Sequence, residues 1–240
     1  MRSIFLLLAA ALTANAADWP QWRGPLRNGV VPDSPKLLVA LPEEGLKELW
    51  ESEQIPSNDE GGLSSPVVAG GRVVMGLVWH RDIPSETRQV GELVLRQLGH
   101  QSVKSLGDAL VAYRITPENA ERMWSRPIDA LRTQSSPILH DGHVFLTDDN
   151  NHYCFKAATG EVAWKTQAQT TISSPVIADG KLFTMANNGN SLLMIAAEPR
   201  TYISLGRATV KAQWIPSPCI ANGRLILRMK DSVKAWSLVK

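Results

Sequence analysis

Few side chains in this sequence could do chemistry. Five histidines and two cysteines occur among 240 residues. His140 and His143 flank an Asp-Gly pair, and His152 follows Asp148-Asp149-Asn150-Asn151. Zinc needs three or four ligands converging within bonding distance, whereas these three histidines come from two opposite ends of a hairpin. They are expected to sit in solvated turns, because Asp, Asn and Gly are themselves turn residues. His80 and His100 have no acid or nucleophile pattern near them. No Gly-x-Ser-x-Gly elbow, Gly-rich phosphate loop or His-Glu-x-x-His helix occurs. The expectation is therefore no catalytic, cofactor-binding or metal-binding residue, and no cofactor.

Composition narrows the class. The chain is 44% hydrophobic and 20% charged, which suits one soluble domain of ordinary polarity or two small ones. A net charge of +2 gives no electrostatic case for nucleic-acid or polybasic membrane binding. Met1-Arg2-Ser3, the apolar run Ile4 to Leu12 and the small-x-small exit Ala14-Asn15-Ala16 read as a secretory signal peptide over residues 1–16. That apolar run is too short to span a bilayer, and no later one is long enough. The mature protein, residues 17–240, is expected in the periplasm or outside the cell.

The elements that position everything else come from a repeat. Ser64-Ser65-Pro66-Val67-Val68, Ser135-Ser136-Pro137-Ile138-Leu139, Ser173-Ser174-Pro175-Val176-Ile177 and Ser217-Pro218-Cys219-Ile220 share one core. Each runs into a turn and a second apolar stretch, through Gly70-Gly71, Asp141-Gly142, Asp179-Gly180 or Asn222-Gly223. Asp-Gly and Asn-Gly tolerate the positive φ of two-residue hairpin turns, and a Ser-Pro start fits the first residue of a strand. The prolines recur at spacings of 71, 38 and 43 residues. A period near forty with about four short strands belongs to propeller blades, so the expected fold is all-β, a propeller of about four antiparallel four-stranded blades.

Aromatic residues mark the outer strands. Trp164 lies 27 residues after Pro137, and the same offset from Pro175 lands on Tyr202. From Pro66 the match is delayed to Trp124, so the first blade carries an insertion of about 31 residues, around residues 80–110. Val90, Leu93, Val94 and Leu98 predict an amphipathic helix from Ser85 to Leu98, followed by a turn or helix over Val103 to Leu110. The apolar stripe reads as a lid on the propeller, with a partner-binding helix as the sharper alternative. The last repeat ends before its aromatic strand, and Leu46-Lys47-Glu48-Leu49-Trp50 is expected to supply it, because an open sheet edge invites aggregation. Trp236 reads as blade core, while Trp19 and Trp22 plug or brace the ring or form a recognition patch.

The segment Tyr153 to Trp164, with its Ala-x-Thr-Gly-x-x-x-Trp ending, resembles the pyrroloquinoline-quinone-type (PQQ-type) propeller repeat. Asp18-Trp19-Pro20-Gln21-Trp22-Arg23-Gly24-Pro25, Arg27-Asn28-Gly29 and the final Asn222 to Leu238 resemble a group of exported, planctomycete-like bacterial propeller proteins. That group usually has seven or eight blades, so four repeats imply a compact ring, an internally deleted copy, or a homodimer completing an eight-blade ring.

The resemblance implies a non-enzymatic binding or scaffolding module at the cell envelope, with an unknown protein or glycan partner. Its alternatives are a PQQ-dependent quinoprotein oxidoreductase and a carbohydrate-binding propeller using Trp19, Trp22 or Trp79. Quinoprotein dehydrogenases of this superfamily hold the quinone over a Trp with calcium and an Asp base, and commonly show an adjacent cysteine pair. Cys154 and Cys219 are instead far apart, and each reads as a small core residue. A disulfide between them stays open as an alternative outside the cytoplasm.

Overall fold

The computed structural model describes residues 18–54, 65–69, 72–74, 108–115, 117, 119–128, 135–148, 150–167 and 173–240. These residues form strands and no helix. In chain order the strands are β1 (Glu48–Glu51), β2 (Val67–Ala69), β3 (Arg72–Val74), β4 (Asp108–Ile115) and β5 (Ala120–Ile128). Then come β6 (Ile138–His140), β7 (His143–Thr147), β8 (Asn151–Lys156) and β9 (Val162–Gln167), followed by β10 (Val176–Ala178), β11 (Lys181–Ala186), β12 (Ser191–Ala196) and β13 (Ser204–Thr209). The last are β14 (Cys219–Ala221), β15 (Arg224–Arg228) and β16 (Val233–Ser237).

Three antiparallel four-stranded sheets are the second, third and fourth blades of a β-propeller: β6-β7-β8-β9, β10-β11-β12-β13 and β14-β15-β16-β1. Their first hairpins turn where the sequence says they should. Asp141, Asp179 and Asn222 sit at φ of 45°, 46° and 57°, each followed by a glycine at φ of 71°, 67° and 67°. Two successive positive φ values give the turn whose twist matches the flanking strands. The inner strands are buried almost completely: Ile138, Phe145, Cys154 and Phe155 in the second blade and Phe183, Leu192 and Met194 in the third are at most 2% exposed. Each such side chain removed from water contributes about 1.5–3 kcal/mol, which holds the blades face to face.

The serine before each proline joins neighbouring blades. Ser136 N–H donates to Ser174 Oγ (3.0 Å), Ser174 N–H to Ser217 Oγ (3.0 Å) and Ser217 N–H to Ser65 Oγ (2.9 Å). A proline holds the preceding residue in extended geometry, so these N–H groups point across the seam rather than along their own sheet. The blades therefore stand in the order second, third, fourth, first.

The N-terminal strand closes the last blade. Glu48 pairs with Trp236, Trp50 with Ala235 and Glu51 with Lys234, so the expected donation of Trp50's strand to the C-terminal repeat is what the chain does. Lys234 Nζ lies 2.7 Å from Glu51 and 3.4 Å from Glu48, and Ser232 Oγ donates to Glu51 Oε1 at 2.6 Å.

The first blade differs from its expectation as one four-stranded sheet. It comprises two separate pairs, β2-β3 and β4-β5. The helix expected over 85–98 lies outside the described residues, as does the signal peptide. Of the turn or helix expected over 103–110, residues 108–110 belong to β4, where pairing with Ile128, Pro127 and Arg126 holds them extended.

Candidate functional site

Two tryptophans seal seams between blades. Trp124, at the middle of β5, donates its Nε1–H to Ala157 O (2.8 Å) and stacks on Phe155 with ring centroids 6.3 Å apart. Arg126 reinforces the same turn through bonds to Gly160 O and Thr159 O, both 2.9 Å. One blade further, Trp164 donates to Glu198 O (2.8 Å) and packs between Phe145 and Tyr202, with centroids at 6.0 and 5.6 Å.

The third blade breaks this pattern. Cys154 pairs with Trp164 in the second blade, and the corresponding Met194 pairs with Gly206. A Cβ on Gly206 would come within 2.9 Å of Leu41 Cβ, so the N-terminal segment fills the place of the ring. Tyr202 precedes β13 and helps seat Trp164 instead.

That segment reaches this seam by crossing the inner edges of the blades. Trp19 exchanges both backbone bonds with Val68 on β2 (2.8 and 2.7 Å), and its indole is 2% exposed. Arg23 Nη2 donates to Pro137 O (2.6 Å) at the start of β6. Ile177 on β10 donates to Gly29 O and accepts from Val31 N–H, both at 2.8 Å. Residues 19–31 thus occupy the axis-facing edges of three blades. Beyond them, Leu37 N–H donates to Asp179 Oδ2 (2.9 Å), Leu38 N–H to Leu238 O (2.7 Å) and Leu41 N–H to Leu205 O (2.8 Å).

Asp179 anchors this path. Burial alone would raise its pKa, but bonds from Lys181, the Leu37 N–H and Lys36 outweigh burial and hold it at about 2. Lys36, Leu37, Val39, Asp179, Lys181, Val239 and Lys240 line an open groove of about 630 Å³, in which Val39 is 76% exposed.

The residues singled out in the sequence are not brought together. Cys154 on β8 and Cys219 on β14 are buried in different hydrophobic clusters and unbonded, so the disulfide does not form. Burial, with Glu198 nearby, pushes the Cys154 thiol up to about 12, and burial raises Cys219 further. Neither supplies a thiolate at neutral pH. His140 and His143 lie at the hairpin turn as expected, His143 Nδ1 within 2.8 Å of Asp141 O.

His152 corrects its expectation. It is 2% exposed, stacked on Tyr202 at 6.3 Å, and burial lowers its pKa to about 4. Asp148 is likewise buried, its Oδ1 accepting the Asn150 and Asn151 N–H groups at 2.8 and 2.6 Å. Asp148 Oδ1 thus satisfies two backbone N–H groups of the turn that leads into His152. His80, His100 and Trp79 lie outside the described residues. Among the described residues no three His, Cys, Asp or Glu side chains converge as a metal site would require. Trp22 is 51% exposed beneath the Arg23 guanidinium, and Trp214, which sequence reasoning passed over, is 40% exposed.

Residues 107–201 match a family model described as outer membrane protein assembly factor BamB. No curated protein matches the sequence. Among solved structures, a europium-containing methanol dehydrogenase is 12% identical, with 82% of this chain and 32% of that one covered at a TM-score of 0.40. BamB from Moraxella catarrhalis is 10% identical, with coverage of 78% and 62% at a TM-score of 0.37. The WD40 domain of Toxoplasma gondii coronin is 16% identical, with coverage of 55% and 40% at 0.41. The chain spans less than two thirds of the length of each of these three.

Proposed function

We propose that the chain is a β-propeller repeat protein of the PQQ type that is exported and acts, without catalysis, as a binding or scaffolding module at the cell envelope. The observation that carries this reading is the occupation of the axis-facing blade edges by residues 19–31 of the chain itself. The centre of a propeller is its natural concavity, and a planar cofactor held there needs open space above the inner strands. Here Trp19 is buried against β2, and the Gly29-to-Val31 stretch is bonded to β10.

The residues present also do not fit the quinone. The two thiols lie in separate blades, and both are buried and protonated. Of the hints for a carbohydrate-binding role, Trp22 is exposed and Trp19 is buried, while Trp79 lies outside the described residues. The export part of the reading rests on the residue 1–16 pattern.

Two measurements test the proposal. Titrating the purified protein with PQQ and calcium should leave its melting temperature and visible absorbance unchanged; a saturable shift in either refutes the non-enzymatic reading. Expression in a bacterial host followed by fractionation should give a periplasmic or secreted product whose N-terminal residue is Ala17; retention in the cytoplasm with Met1 intact refutes export.

A further inference from the structure

The divided first blade can be read position by position against the complete ones. Val74 pairs with Val67 as Phe145 pairs with Ile138, Phe183 with Val176 and Ile226 with Cys219. Those three partners are 2%, 0% and 3% exposed, whereas Val74 is 56% exposed. On the other half, Ala112 pairs with Trp124 as Cys154 pairs with Trp164, and the register shifts at the next residue in both. Tyr113 therefore stands where Phe155 stands, and Val111 where Tyr153 does. Their exposures are 54% and 37%, against 0% and 3%.

The apolar character of the repeat is thus kept at positions that no strand among the described residues covers. In each complete blade the second strand pairs with the third. β3 and β4 hold those places in the first blade, and they lie in different sheets.

The two halves also sit at opposite ends of the row of blades. Trp124 docks β4-β5 on the second blade. Ser217 ties β2-β3 to the fourth, where β2 lies beside β14. The line of serine bonds stops at the same place: among the described residues it runs from Ser136 through Ser174 and Ser217 to Ser65, with no bond joining Ser65 to Ser136.

We propose that two copies of this chain exchange half-blades, β3 of each pairing antiparallel with β4 of the other, to form one two-fold-symmetric ring of eight blades. The second copy is the occupant because each edge that is unpaired among the described residues calls for the very strand that the other edge presents. In register, Val74 would face Ala112, Val73 would face Tyr113 and Arg72 would face Arg114, as Phe145, Val144 and His143 face Cys154, Phe155 and Lys156. Two-fold symmetry satisfies both edges at once and leaves none open. Each chain then contributes three whole blades, one inner half and one outer half.

Light scattering behind size exclusion, on the purified chain, should give twice the mass of one chain. Differently tagged V74C and A112C chains, co-expressed and mildly oxidised, should form a covalent heterodimer that reductant dissolves and that wild type does not form. Tyr113→Arg, placed on an edge that is solvent-exposed in one chain, should retain a cooperative melt while halving the mass. Three outcomes overturn the proposal: a clean monomer; a V74C/A112C double variant that cross-links within one chain while the mixed single variants stay uncrosslinked; or a dimer that forms no V74C–A112C link.

Discussion

Gly160 lies directly against the indole of Trp124: a Cβ built on it would come within 2.6 Å of Trp124 Cδ2. This glycine is the Gly of the Ala-x-Thr-Gly stretch, so the motif marks where one blade receives the ring of the blade before it. Gly160 also sits at φ +67°, a conformation that other residues adopt only under strain. Gly160→Ala should therefore lose about 2–4 kcal/mol, from backbone strain and overpacking together. Gly142→Ala is the comparison, because its φ is +71° but nothing lies within 4 Å, and it should lose only about 1 kcal/mol. Urea unfolding of both variants checks this; equal losses would mean that the ring contact contributes nothing.

Trp164 separates the hydrogen bond of a seam from its packing. Trp164→Phe keeps a ring near Phe145 and Tyr202 but removes the donor to Glu198 O, and should lose about 1 kcal/mol. Trp164→Ala empties the seam and should lose about 3–5 kcal/mol. Trp50 holds the matching register position in the fourth blade but is 39% exposed, so Trp50→Ala should lose less than Trp164→Ala. Chemical unfolding of the three variants ranks them, and a Trp50→Ala loss as large as that of Trp164→Ala would be inconsistent with the seam account.

What could be read from the sequence was whatever local chemistry dictates. Asp-Gly and Asn-Gly turns form where they occur because two adjacent residues decide them. The donation of Trp50's strand was legible because an incomplete last repeat leaves an edge to cover. Counting residues failed in the third blade, where both connections after β11 are longer than in the second, so a fixed offset stops at Tyr202 short of Gly206. The path of residues 19–41 and the division of the first blade rest on non-local pairing, for which no short-range signal exists. His152 was misplaced because its turn residues predict solvent exposure, while its stack on Tyr202, fifty residues further along the chain, is a non-local contact that local turn chemistry does not announce.

Ser217 is an interior member of the serine line, accepting from Ser174 N–H and donating its own N–H to Ser65 Oγ. Ser217→Ala removes only the acceptor, stranding the N–H of Ser174, a residue that is 3% exposed. The loss should be about 1–3 kcal/mol, the desolvation penalty of one buried donor left unmade. Amide hydrogen exchange adds a local readout: protection at Ser174 should fall while protection at Ser217, whose own donor bond survives, changes little. Unchanged exchange at Ser174 would show that the hydroxyl is not its partner in solution.

His152 should set the stability of the second blade between neutral and mildly acidic pH. Burial lowers its pKa to about 4, and among the described residues its Nδ1 has no hydrogen-bond partner to favour the cation. Unfolded, the same side chain titrates at about 6.5. Between these values the unfolded chain binds a proton that the folded chain refuses. The stabilising difference is therefore complete above about pH 6.5, shrinks as the pH falls, and is lost by about pH 4, below which it levels off. The full span is on the order of 3 kcal/mol. Asp179 is held at about 2, so its own acid loss falls below this window. His152→Phe keeps a ring to stack on Tyr202 and abolishes the titration. Urea unfolding of wild type and H152F at intervals from about pH 7 to pH 4 should show a decline in the wild type that is largely absent from the variant. Parallel slopes in the two proteins would assign the acid sensitivity to another group.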